Sequence, residues 1–183
     1  MRKIIPLIGI DASYRAFCEA NRLYNEQVDF DYARCLTIKI QTGDGRTRIA
    51  RLAFELKYGV IKPHGAKLTD THYTLFRRLL RVYRDRIDSL PAGVNEFFPN
   101  EMLGLWLTRG DIASRMRRSP KTAYNLLERL VNLGFLTKTN HGEKKPIEIR
   151  FAKDILVVFD KKAPNFIPDS KFLTLSFSDH PYA

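Results

Sequence analysis

Between Ala123 and Val131 the apolar residues Ala123, Leu126, Leu127, Leu130 and Val131 recur at spacings of three, four, seven and eight. That is one core-facing stripe, and it predicts an amphipathic helix over about 120–133. Ser119 offers the N-cap, Pro120 occupies the first helical position, and Gly134 can take the positive φ that ends a helix. A shorter helix is predicted just upstream. Thr108 is placed to cap it with Asp111 as the capping-box acid, and Ile112, Ala113 and Met116 form its small apolar face. A tight turn at Arg117-Arg118 joins the two. Downstream, residues 135–139 and 147–151 read as strands, with Asn140-His141-Gly142 supplying turn chemistry between them.

The remaining pattern is more varied. Ile4 to Ile10 reads as a short strand or extended arm. From Asp11 to about Val28, Tyr14, Phe17, Cys18, Asn21 and Tyr24 share one helical face, which is expected to be core rather than a base-stacking platform. Leu36, Ile38 and Ile40 alternate with polar residues, so Cys35 to Thr42 is expected to be a half-buried strand. Gly43-Asp44-Gly45 is a turn signal. Residues 51–58 also alternate, although Ile49, Leu52, Ala53, Leu56 and Val60 fit a helix, and a hairpin with the preceding strand is favoured. Ile61 to Lys67 reads as a linker, and Thr69 to Ser89 as a helix with Tyr73, Phe76, Leu80, Tyr83 and Ile87 facing inward. Leu90 to Asn100 reads as a loop. Leu103, Leu105 and Leu107, with Trp106 opposed, can add a third strand. Ile155 to Phe159 is apolar and Phe172 to Phe177 alternates, so the tail is expected to add strands or to serve dimerisation.

Charge sharpens this picture. The 183 residues carry a formal net charge of +11. Residues 108–150 account for +6 of it and residues 62–90 for +4. An excess concentrated in this way implies an anionic partner. Two cysteines and no signal-peptide pattern point to a reducing, cytoplasmic setting. No apolar run reaches a membrane-spanning length, so no membrane partner is expected.

The segment IASRMRRSPKTAYNLLERLVNLGFL resembles the winged helix-turn-helix superfamily of DNA-binding regulators. An aliphatic-Ala pair, a Ser, a Thr-Ala pair, two Leu and a terminal Gly-x-Leu occur at that pattern's spacings, over about a quarter of the chain. Arg117-Arg118 departs from it, because such turns often carry Gly and then an aliphatic residue. The resemblance implies a mainly α fold with small antiparallel β-sheets (α+β), a winged helix-turn-helix with an N-terminal extension. The expected organisation is an α/β extension over 1–61, the DNA-binding domain over 62–160 and a tail over 161–183.

Function follows as an expectation. The chain is expected to bind double-stranded DNA sequence-specifically as a nucleoid-associated transcriptional regulator, with the helix at 120–133 in the major groove. Ser119, Lys121, Thr122 and Asn125 are the candidates for base edges. Arg117, Arg118, Arg129 and, in a wing at about 138–148, Lys144 and Lys145 are the candidates for phosphate or minor groove. The alternatives are a replication initiator or accessory protein of a plasmid or other mobile element, or a winged-helix protein–protein module. A homodimer is left open. No enzymatic activity, cofactor or metal is expected: His64, His72, His141 and His180 are isolated, and no nucleotide loop, nucleophile elbow or zinc spacing occurs.

Overall fold

The computed structural model describes residues 3–42, 53–59, 62–98, 103–142 and 145–162. The protein is mainly helical with small antiparallel sheets, an α+β architecture. In chain order the elements are β1 (Pro6–Ile8), α1 (Ile10–Thr42), α2 (Pro63–Ala66), α3 (Asp70–Asp88), β2 (Leu105–Leu107), α4 (Arg109–Met116), α5 (Pro120–Asn132), β3 (Leu136–Asn140), β4 (Ile147–Phe151) and β5 (Val158–Asp160). The chain divides into two compact units, one made of residues 1–17 with 72–183 and the other of residues 18–71. Among the described residues, no helix is long and apolar enough to cross a membrane.

The first unit is built around aromatic rings. Phe17 and Phe76 are fully buried and stack at 4.0 Å, Phe135 meets Phe17 edge-on at 5.0 Å, and Phe151 meets Phe76 edge-on at 5.5 Å. Such pairs add about 0.5–1.5 kcal/mol beyond the area they bury. The inward stripe of α3 is Leu75, Phe76, Leu79, Leu80, Val82, Tyr83 and Ile87. Tyr83 donates its hydroxyl to the Leu103 carbonyl at 2.9 Å, and its burial pushes the phenol pKa up. A three-stranded antiparallel sheet in the order β2-β4-β3 covers this core. Leu105 and Leu107 point in at 2% exposure while Trp106 points out at 47%, the alternation expected of a third strand, but Leu103, expected to share the inward side, lies ahead of the strand and is 46% exposed.

Within the segment expected as a short strand or extended arm over Ile4 to Ile10, Pro6–Ile8 forms a strand and Ile10 already opens α1. β1 pairs antiparallel with β5, with Pro6 opposite Asp160 and Ile8 opposite Val158. Ser13 Oγ accepts the Val157 N–H at 2.8 Å, and the Gly9 N–H donates to the Val157 carbonyl at 2.9 Å. A Cβ on Gly9 would come within 2.5 Å of the Phe159 ring, so a larger residue here would require that ring to move. Ile155, Leu156 and Val158 are buried beneath it. The alternating stretch at 172–177 lies outside the described residues.

The second unit corrects two expectations. Residues 35–42 are helical, the end of α1, and not a strand. The apolar period does not change at Val28. Tyr24, Val28, Tyr32 and Cys35 continue the helical spacing and pack with Phe54, Tyr58 and Ala66. Once a helix is running, each further residue adds a hydrogen bond at little entropic cost, so three alternating residues do not break it. The expected hairpin is overturned as well. Residues 53–58 are helical, with Phe54 and Tyr58 buried four apart and Leu56 between them 78% exposed. The stretch expected as a linker contains one helical turn, α2, opened by Pro63 at a position where no N–H is needed. Tyr24 donates to the Ala66 carbonyl at 3.1 Å, and Lys67 pairs with Asp29 at 2.6 Å.

Candidate nucleic-acid interface

The candidate residues sit on a helix pair whose ends are closed by local chemistry. Thr108 Oγ1 accepts the Asp111 N–H at 3.0 Å, and the Asp111 carboxylate accepts the Thr108 N–H at 2.8 Å, a complete capping box. The Thr108 hydroxyl, and after it the Thr108 backbone, hold the Asp111 pKa below the ordinary carboxylate value. Ile112, Ala113 and Met116 are buried, as the spacing predicts.

α4 ends at Arg117, which takes the left-handed conformation at φ 51° and ψ 45°. It is the non-glycine residue with positive φ among those described. The Arg118 N–H closes the turn onto the Ala113 carbonyl at 3.2 Å. Glycine is the residue that adopts this geometry freely, so the turn holds a cation at a steric cost. Both arginine side chains are exposed.

α5 begins as predicted. Ser119 Oγ accepts the Thr122 N–H at 3.2 Å and lies 2.9 Å from Thr122 Oγ1. The Ser119 hydroxyl is therefore engaged as a cap, and Thr122 shares in it. Ala123, Leu127 and Leu130 are fully buried, which fixes the rotation of the helix. Lys121, Thr122 and Asn125 are exposed on the opposite side, and Leu126 and Val131 are half-buried at the margin. Arg129 is half-buried in the last turn, apart from the helix start where the other candidates gather. Gly134 takes φ 78° and the Phe135 N–H returns to the Leu130 carbonyl at 3.0 Å, completing the termination.

β3 and β4 match the expected strands to within a residue, and Gly142 takes φ 124° in the connection between them. Lys145 is exposed there, whereas Lys144 lies outside the described residues. Lys145 shares a cleft of about 600 Å³ with Asn140, Gly142 and Ile147, closed on the other side by Thr108, Arg109 and Gly110. Lys145 thus lies across from the start of α4, and among the described residues that line the cleft none belongs to α5.

No known family, curated protein or solved structure matches the chain.

Two groups escaped the sequence reading. Arg109 lies over the Tyr124 ring at 4.2 Å, and Lys138 donates to the Tyr124 hydroxyl at 2.7 Å while also pairing with Glu128. The Lys138 ammonium lowers the Tyr124 pKa. Lys138 is thus tied to the flank of α5, which braces the helix against β3. The only hint in the sequence was that Tyr124 and Glu128 are four apart. The second group lies on the outer face of the sheet. Trp106 stacks on His141 at 4.4 Å, and Glu148 holds Arg150 at 2.7 Å beneath them.

Proposed function

We propose that this chain is a sequence-specific double-stranded DNA-binding protein of the winged helix-turn-helix kind, acting in transcriptional regulation. On this reading α3, α4 and α5 are its three helices, β3 and β4 its wing, and β2 the third strand. The observation that carries the reading is the rotation of α5. Burial of Ala123, Leu127 and Leu130 turns Lys121, Thr122 and Asn125 outward at the end of the helix flanked by Arg117 and Arg118. A cationic turn that leads an uncharged amide and a lysine suits a duplex, whose backbone takes the cations while base edges take the amide. Arg109 and Lys145, on the two walls of the cleft beside the helix pair, extend the positive surface. About four to six neutralised phosphates would give a log–log salt slope of about −4 to −5.

The test compares two variants on two DNAs at one salt concentration, after a preferred site has been selected from random sequence. Asn125→Ala should lose about 1–3 kcal/mol on the selected site and little on random DNA. Arg118→Ala should weaken both by similar factors, since phosphate is common to both. Equal losses for Asn125→Ala on the two DNAs would remove the base contact. A wild-type protein that prefers no sequence would remove the regulator.

A further inference from the structure

The long helix α1 carries an exposed stripe that none of its described contacts uses fully. Glu19, Leu23, Glu26, Gln27, Phe30 and Arg34 are all exposed. At about 100° per residue they fall within roughly a quarter to a third of the helix circumference. Leu23 is 54% exposed and Phe30 57%, seven residues apart, hence two turns apart on the same side. Single exposed apolar residues are ordinary. Two large ones in helical register, with opposite charges at the two ends of the stripe, form a seam.

The seam is complementary to itself when reversed. Glu19 lies four residues before Leu23, and Arg34 lies four residues after Phe30. Turned end for end, Leu23 of one copy meets Phe30 of the other and Glu19 meets Arg34, with Glu26 and Gln27 at the centre. A parallel arrangement would set Glu19 against Glu19 and Arg34 against Arg34. Local contacts hold the charges near the stripe: Arg34 sits over the Phe30 ring at 5.6 Å, and Glu19 pairs with Arg22 at 2.6 Å. An exposed pair such as Glu19–Arg22 is worth little, and a carboxylate has lone pairs for a second donor.

We propose that this face of α1 pairs with the same face of a second copy, antiparallel about a twofold axis passing between Glu26 and Gln27. One copy repeats every contact of the other, as an isologous interface requires. The pairing does not depend on DNA binding. If both hold, the dimer reads two inverted half-sites.

Sedimentation velocity of the full chain without DNA tests it over a range of concentrations. The wild type should show a monomer–dimer equilibrium. Leu23→Asp and Phe30→Asp should each raise the dissociation constant by about tenfold or more, with the far-ultraviolet circular dichroism unchanged. Glu19→Arg and Arg34→Glu should each weaken the dimer, and the double variant should restore it, because the reversed pairs again meet opposite charges. A chain that stays monomeric, or a dimer indifferent to Leu23→Asp, overturns the interface. Single charge variants without effect, or a double variant that does not recover, overturn the antiparallel register.

Discussion

α5 and α1 reach helical structure by different means. α5 has one apolar stripe, a serine cap, a proline at its first position and a glycine exit, and every one of these signals lies within sixteen residues of sequence. α1 runs for 33 residues, and the fully buried positions on its inward face include two polar ones, Ser13 and Asn21, beside Phe17 and Val28. Its inward residues are met by others far along the chain: Phe17 by Phe76 and Phe135, Val28 by Phe54 and Tyr58. Its outward side carries exposed ion pairs. A short helix that must hold side chains in one orientation gains from local specification. A long one can depend on whatever packs against it.

The sharpest test of that contrast is a matched pair of leucines. Leu130→Ala should cost about 2–5 kcal/mol in urea unfolding, since a fully buried side chain leaves a cavity. Leu23→Ala, at a concentration where the chain is monomeric, should cost less than about 0.5 kcal/mol. Similar losses would mean that α1 is as tightly specified as α5.

Next comes the turn. Arg117→Gly should stabilise the protein by about 0.5–1 kcal/mol, because glycine accepts the left-handed conformation without a Cβ clash. The same change should lower the salt slope of DNA binding by about one unit if Arg117 holds a phosphate. Thermal melts and salt titrations read the two effects separately. Greater stability with an unchanged slope would leave the charge without a role in binding.

The capping box is expected to contribute about as much. Thr108→Ala should cost about 1 kcal/mol. The Asp111 pKa is depressed in the folded state, so its contribution is present above the ordinary carboxylate value and lost as pH falls through the folded one. The stability gap between wild type and Asp111→Asn should therefore narrow below about pH 4. A gap that widens on acidification would contradict the assigned partners. The smallest effect belongs to α1: Arg22→Ala removes exposed, solvent-screened pairs to Glu19 and Glu26 and should leave the urea midpoint almost unchanged.

The same contrast explains what could be read from the sequence. Both caps of the α4–α5 pair, the buried set Ala123, Leu127 and Leu130, and the strands after them are legible because cause and effect are neighbours in the chain. The end of α1 was misread because Cys35 and Tyr32 are held by Phe54 and Tyr58, whose own helix was ambiguous. Alternation over three residues then outweighed a helical period whose partners were out of view. The brace from Lys138 to Tyr124 and Glu128 was hidden for a related reason, since it joins a strand to a helix and neither announces the other. Among the candidate interface residues, the exposure of Lys121, Thr122 and Asn125 was legible from the stripe, and the half-burial of Arg129 was not. The engagement of Ser119 and Thr122 with each other was only half so, through the cap.

The pairing of β1 with β5 has a consequence for the order in which the molecule is made. Pro6 must find Asp160, and Ile4 must find Phe97. Closing a loop of that length costs roughly 2 kcal/mol more than closing one of ten residues. The α4–α5 pair and the β3–β4 hairpin have no such separation to overcome, so they are placed to form early. During synthesis the opening strand stays without its partner until Val158 has left the ribosome. Through that interval Ile4 and Ile8, both buried in the finished protein, are free to meet other surfaces.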